Sequence, residues 1–221
     1  TLKIKSLSPK SMRIFPTLLY FVFGLRAYYR PTQFSRLNIE YHTTNEFRRG
    51  GNKFDLEPFE SDITEQTKHV INSGGLTYDL FWKEYKHKLS FFASSQHVDR
   101  NSYYGAQQDP NAYGKTKDLT FVGGGMYVGN FDKVLFSPAT FTAGMEYQHN
   151  NMHDIMAGYN RDLEQKVRIA SAFFQNEWKM NDFTLLAGFR LDDHNLIDNL
   201  IFSPRVNMLY KPSDAFQGRL R

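Results

Sequence analysis

The sequence predicts an all-β chain of antiparallel strands joined as hairpins, and three observations carry that reading. First, the stretch from Asp182 to Asp192 alternates. Phe183, Leu185, Ala187, Phe189 and Leu191 fall on one face, and Asp182, Thr184, Gly188, Arg190 and Asp192 on the other, with Leu186 the one exception. Period-two alternation marks a strand whose two faces meet different surroundings. Second, short and long connections alternate. Tight turns fall near residues 31–33, 82–85, 131–137, 179–181 and 211–214, and long polar stretches near 44–66, 98–117, 150–165 and 193–200. Hairpins with every long loop at one end are the pattern of a transmembrane barrel, whereas structureless loops of about 20 residues sit badly in a compact soluble domain. Third, Trp82, Trp178 and Tyr210 stand beside short turns, where an aromatic girdle would meet one membrane interface. A soluble β-sandwich accounts for the alternation equally well, but gives no reason for the loop lengths or the tryptophans.

Composition agrees with the barrel. Among 221 residues there are 20 Phe and 13 Tyr. The mean hydropathy of −0.54 excludes a bundle of membrane-spanning helices, yet suits barrel strands, half of which is polar. A formal net charge of +4, with scattered basic residues, argues against a nucleic-acid partner. The absence of cysteine excludes a disulfide framework and a thiolate metal site.

In chain order, Lys3, Lys5, Lys10 and Arg13 precede the apolar run Phe15–Leu25. That order is signal-like, but Pro16 interrupts it and no small-x-small cleavage site follows. Residues 1–21 are therefore left unassigned, signal-like or disordered, and the start at Thr1 reads as a fragment or a processed piece. Gly24–Arg30 and Arg36–His42 then alternate, with Leu37, Ile39 and Tyr41 on one face. Strands follow over 69–80, 89–96, 119–130, 140–148, 168–178, 182–192 and 204–210, and a last one begins before Arg221. The facing of 119–130 is not legible, because Gly123, Gly124 and Gly125 interrupt its pattern.

Three groups of residues now carry a resemblance. Phe174-Gln175-Asn176-Glu177-Trp178-Lys179, Leu186-Ala187-Gly188-Phe189-Arg190-Leu191-Asp192 and Phe202-Ser203-Pro204-Arg205-Val206 follow one another in order. They resemble the barrel of TonB-dependent outer-membrane receptors. Ser102-Tyr103-Tyr104-Gly105, Asp109-Pro110-Asn111-Ala112-Tyr113-Gly114, Tyr29-Arg30-Pro31-Thr32 and Glu46-Phe47-Arg48-Arg49-Gly50-Gly51-Asn52 are similar to receptors of Bacteroidetes type. The resemblance covers about residues 25–221, and the barrel segment is taken as 22–221.

The resemblance implies an antiparallel transmembrane β-barrel segment, about nine or ten strands of a barrel of roughly 22. It implies a place in a Gram-negative outer membrane and energy-coupled uptake of a scarce ligand such as cobalamin, a siderophore or a glycan. Its partners would be outer-membrane lipid, the receptor's own plug domain, the extracellular ligand and, through an N-terminal part, the TonB complex. Neither the plug nor the TonB-contacting box is recognisable in the sequence. The segment is expected to be open in isolation, to transport nothing alone and to aggregate through its free edges. A passive porin-like or structural barrel and a soluble sandwich adhesin are the alternatives weighed against it.

Two sets of residues stand out. Gln175, Glu177, Arg190, Asp192, Arg205 and Asn207 would face the lumen and hold the plug, against the plain alternative of solvated cross-strand ion pairs. Tyr103, Tyr104, Asp109, Asn111 and Tyr113 would form a stacking platform in an outside-facing loop, against the alternative of a loop packed on itself. His149 and His153 share a four-residue spacing, but they fall where a strand gives way to a loop, so no metal site is expected. Gly123-Gly124-Gly125 lacks the Lys-Ser/Thr of a phosphate loop. Ser95 and His97 lie too close on one strand face for a catalytic pair, and no cofactor or enzymatic activity is expected.

Overall fold

In lipid a backbone N–H or C=O without a partner costs several kcal/mol, so a strand there must be paired along its whole length. The computed structural model of the chain, which describes residues 17–220, meets that demand with a single sheet. Its strands are β1 (Thr17–Tyr29), β2 (Ser35–Gly51), β3 (Ile63–Trp82), β4 (His87–Ala106), β5 (Tyr113–Val134), β6 (Ser137–Met156), β7 (Arg161–Lys179), β8 (Phe183–His194), β9 (Ile201–Ser213) and β10 (Phe216–Leu220). All ten pair antiparallel with their neighbours in sequence, in the order β1 to β10, and the sheet is open. The basic segment over residues 3–13 lies outside the described residues. β1 begins at Thr17, inside the stretch left unassigned by sequence.

Register carries one face through the sheet from β2 to β9, and its irregularity there falls beside the β5–β6 turn, between Phe131 and Val134. Leu37, Tyr78, Phe91, Gly125, Met145, Ala172, Leu191 and Phe202 stand each opposite the next. One residue away on each strand, Asn38, Thr77, Phe92, Gly124, Glu146, Ser171 and Asp192 do the same on the other face. The sheet thus has an apolar face and a polar face, as period-two alternation requires. The register also settles the strand that the triple glycine obscured: Leu119, Phe121 and Tyr127 belong to the apolar face.

Nothing among the described residues forms a second layer over the apolar face. Among the described residues, the buried hydrophobic side chains are Tyr103, Ala112, Ala139 and Met156. Met145 is 71% exposed, Ile39 47% and Phe189 39%. The accessible surface is 15653 Å², well above the roughly 10,500 Å² of a compact protein of this mass. A chain of rings crosses this open face: Trp82, His87, Tyr127, Phe141, Phe174, Phe189 and Phe202, with successive centroids 4.9–6.0 Å apart. Among the described residues no second sheet packs over these rings.

The long loops expected from sequence are much shorter in the structure. Strands β3 to β7 run 19–22 residues, or about 63–73 Å at 3.3 Å per residue. A barrel strand needs only about 9–11 residues to cross a bilayer. The hairpins therefore continue as paired ribbon beyond the apolar band. Only 52–62, 107–112, 157–160 and 195–200 connect strands at that end. Most of the stretches over 44–66, 98–117 and 150–165 is strand. Both faces carry polar side chains there, so the alternation fades while the ladder persists. At the other end β9 continues through Ser213, past the turn expected over 211–214.

An arginine placed on the apolar face within the band tests this assignment. Phe174→Arg and Phe189→Arg should each destabilise the bilayer-inserted sheet by about 2–4 kcal/mol, and Tyr41→Arg, near the margin, by about 0–1 kcal/mol. Urea titration in lipid vesicles measures the difference. Equal costs at the three positions would refute a lipid-facing band.

Candidate functional site

The polar face gathers its charges into closed cross-strand clusters. One is built around Arg190 on β8. Its Nη2 donates to Glu146 Oε1 on β6 at 2.9 Å and to Ser171 Oγ on β7 at 2.8 Å. Its Nε donates to Asp192 Oδ1 at 2.7 Å, and Ser171 Oγ donates to the same oxygen at 2.5 Å. The guanidinium also lies 6.0 Å from the centroid of the Phe173 ring. One arginine thus joins β6, β7 and β8. The planar fork of the guanidinium suits it to two carboxylates at once.

The six residues expected to face the lumen share this face. Gln175 stands opposite Gly188, and Gly188 opposite Arg205. Glu177 stands opposite Leu186, and Leu186 opposite Asn207. Arg190 and Asp192 close on each other, whereas Glu177 pairs with Lys179 at 3.2 Å. Arg205 makes no ion pair among the described residues and is exposed. A cleft of about 510 Å³ opens between Glu146, Gln175, Arg190 and Arg205. Gly188 forms its floor, where a Cβ would lie 2.4 Å from Phe174 O and 2.6 Å from Gln175 Cβ. Glu146 and Ser171 complete the cluster yet were not singled out by sequence. Counting in twos from Thr140 and from Gln175 would have put both on that face.

A second cluster lies on the same face further along the hairpins. The Asp154 carboxylate is 7% exposed. It accepts from Thr116 Oγ1 at 2.5 Å and pairs with Arg161 at 2.6 Å and Arg100 at 3.5 Å. These four residues come from β4 to β7. Beside them Asn150 Nδ2 donates to both oxygens of Asp118, at 3.0 and 3.1 Å, and to Thr120 Oγ1 at 2.9 Å. His153, expected where strand becomes loop, lies within β6 on the opposite face and meets Asp162 at 2.8 Å.

The aromatic group expected in a loop is divided by the structure. Tyr103 and Tyr104 belong to β4, and Tyr113 opens β5. Asp109 and Asn111 lie in the connection between them. Tyr103 is 1% exposed, donates its hydroxyl to Asp109 O at 2.9 Å and packs edge-on against Tyr113 with centroids 4.9 Å apart. Burial raises its phenol above the usual tyrosine pKa, which keeps it a neutral donor. Tyr104 hydroxyl lies 3.2 Å from Thr67 Oγ1. Tyr113 and Asn111 stay exposed.

The neighbouring connection 52–62 folds over the Arg49 guanidinium. Arg49 Nη2 donates to Leu56 O at 2.7 Å and Ser61 Oγ at 3.3 Å. Gly51, with φ +115°, makes the turn into that connection. The two connections touch through Gln107 N, which donates to Asp62 O at 2.8 Å.

Two measurements follow. In a double-mutant cycle, Arg190→Met with Glu146→Gln should show a coupling of about 0.5–1.5 kcal/mol, modest because the arginine is partly solvated. A coupling near zero would mean that water screens the pair completely. Tyr103→Phe should cost about 1 kcal/mol for the lost hydrogen bond, and Tyr103→Ala about 3–5 kcal/mol for the vacated space. Unchanged stability in both would mean that the tips do not depend on this ring.

Comparison with known proteins fits this geometry. Residues 14–221 match the family model described as TonB dependent receptor-like, beta-barrel. No curated protein matches the chain. Three solved structures share its fold at low identity. The siderophore receptor PirA from Pseudomonas aeruginosa is 15% identical, with a TM-score of 0.69 over 89% of this chain and 31% of that one. A mutant of the ferric enterobactin receptor PfeA, also from Pseudomonas aeruginosa, is 15% identical, with a TM-score of 0.71 over 90% and 32%. The outer membrane transporter YddB from Escherichia coli is 9% identical, with a TM-score of 0.69 over 88% and 30%. The chain therefore spans about a third of the length of these structures. Ten consecutive strands, one face apolar and the other closed by ion pairs, together with a family match over nearly the whole chain, place it: it belongs to the family of TonB-dependent receptor β-barrels, which are receptors and transporters rather than enzymes.

Proposed function

We propose that the chain forms one wall of a Gram-negative outer-membrane receptor that takes up a scarce ligand with energy relayed through TonB. The observation that carries this reading is the division of the sheet into an uncovered apolar face and a polar face whose charges are already paired across strands. The apolar face meets lipid. The polar face lines the lumen, where it meets a plug domain supplied by the rest of the receptor. Gln175, Glu177, Arg190, Asp192, Arg205 and Asn207 are the plug-facing set. Arg190 and Asp192 form its rigid part, and Arg205, exposed and without an ion pair among the described residues, is the group open to a partner.

The long paired hairpins carry the ligand end. Tyr104, Asp109, Asn111 and Tyr113 surround the buried Tyr103, which holds them in place, and offer rings and amides to a bulky ligand. A siderophore is the ligand class supported by the names of two neighbouring structures, the siderophore receptor PirA and the ferric enterobactin receptor PfeA. Cobalamin and glycans stay in the same class of bulky, scarce ligands.

Uptake of a labelled ferric siderophore by cells carrying the receptor tests the reading. A protonophore should reduce uptake to the level of cells without the receptor, because transport depends on energy from the inner membrane. Uptake indifferent to the protonophore would make the chain part of a passive pore.

A further inference from the structure

The outer parts of β2, β3 and β4 hold one histidine between two charges. Counting in twos from Thr77, His69 on β3 belongs to the polar face. It stands opposite Glu46 on β2 and opposite Arg100 on β4. Residues directly opposite in an antiparallel ladder hold their Cβ atoms about 4.5–5.5 Å apart. The imidazole therefore has a carboxylate on one flank and a guanidinium on the other. It is half-buried, and its Nε2 is buried with no hydrogen-bond partner among the described residues.

The charges around His69 are already engaged. Glu46 pairs with Arg48 on its own strand, and Arg48 stands diagonal to His69. Arg100 donates to Thr116 Oγ1 at 2.8 Å and reaches Asp154 at 3.5 Å, and Asp154 also holds Arg161 at 2.6 Å. Asp118, next on the polar face of β5, accepts from Asn150 and Thr120. The cluster thus sets Arg48, Arg100 and Arg161 against Glu46 and Asp154, and both carboxylates are taken. A neutral imidazole fits this balance, whereas a protonated one adds a fourth cation to two carboxylates. Burial holds the imidazole below the ordinary histidine pKa. Arg100 and Arg48 push it the same way, and Glu46 opposes them. The folded hairpins thus bind this proton more weakly than opened ones. Their stability is whole above the ordinary histidine range and declines as the pH drops through it.

We infer that His69 is an acid-sensitive latch at the root of the outer hairpins. Neutral, it leaves Arg48 on Glu46 and Arg100 on Thr116 and Asp154. Protonated, it draws Glu46 away from Arg48 and repels Arg100, so β3 is loosened along both of its edges. The caps above depend on these roots. The connection 52–62 joins β2 to β3, and 107–112 joins β4 to β5. They meet where Gln107 N donates to Asp62 O at 2.8 Å. Loosening around His69 therefore frees both caps together. His153 stands on the other face and meets Asp162, so its titration does not touch this cluster.

Amide hydrogen exchange of the full chain in lipid vesicles, at about pH 7.5 and about pH 5.5, tests this. Taking ratios against His69→Gln at the same pH cancels the intrinsic pH dependence of exchange. At the higher pH the unsubstituted chain and His69→Gln should exchange alike over 44–49, 66–71 and 98–103. At the lower pH the unsubstituted chain should exchange at least about threefold faster there, and no faster over 182–192. His153→Gln should keep this acid step. In Arg48→Gln/Arg100→Gln a protonated His69 faces Glu46 alone, so the step should vanish or reverse. Equal exchange of the unsubstituted chain and His69→Gln at both pH values overturns the inference. So does a step that is undiminished in the arginine double variant. A step lost equally in His153→Gln would belong to general acid loosening and would overturn it as well.

Discussion

The constraint on which this structure depends is the backbone ladder. A strand in hydrocarbon can leave no N–H or C=O without a partner, and the simplest solution for a continuous chain is to pair each strand with the next. The order β1 to β10, antiparallel throughout, is that solution. Side chains follow from it. With neighbours fixed by the ladder and period two fixed by the pleat, a single register decides which residues share the apolar face and which the polar one. A slip of one residue on β8 would carry Arg190 and Asp192 to the apolar face and leave Glu146 without its partner. The cluster across β6, β7 and β8 therefore acts as a register lock as well as a polar lining.

Two different forces hold the two halves of each hairpin. Within the apolar band a continuous ladder joins the strands, and the Arg190 cluster crosses three of them. Beyond the band the ladder continues between the same neighbours, with polar side chains on both faces. There the sheet is held by side chains that cross it. Asp154 draws Arg100, Thr116 and Arg161 together from three neighbouring strands, and Asn150 bridges to Asp118 and Thr120. At the tips a small core forms around Tyr103, Ala112, Ser61 and Arg49, all buried. Among the described residues, the buried hydrophobic side chains lie at or near hairpin ends, where connections fold over the sheet.

This division explains what could be read from sequence. The stretch 182–192 and the strands with Leu37, Ile39 and Tyr41 were legible because one of their faces is apolar and the other polar, which imposes strict alternation. The six polar-face residues could be named from the same alternation. The outer ribbons over 44–66, 98–117 and 150–165 read as loops because polar side chains on both faces remove the pattern while the ladder remains. The same loss hid Asp154, whose partners Arg100 and Thr116 are far away in the chain, and Arg49, whose partners lie in a connection without a pattern, and it placed Tyr103 in a loop although it is a strand residue under a closed tip. Gly123, Gly124 and Gly125 hid the facing of β5 because a glycine reports neither face. Register with β4 and β6 supplies it.

The outer ribbons also account for why polar charge is spent so unevenly. Charges on the polar face are close neighbours across a shared surface, so pairing there joins strands and costs little desolvation at partly wet sites. On the other face the pairing stays local: Lys166 meets Glu164 on its own strand, and His153 meets Asp162 across one hairpin. Asp99 stands opposite Lys117, makes no ion pair with it, and keeps one carboxylate oxygen buried without a partner. The same backbone register thus joins charges across three or four strands on one face and leaves them single or in pairs on the other.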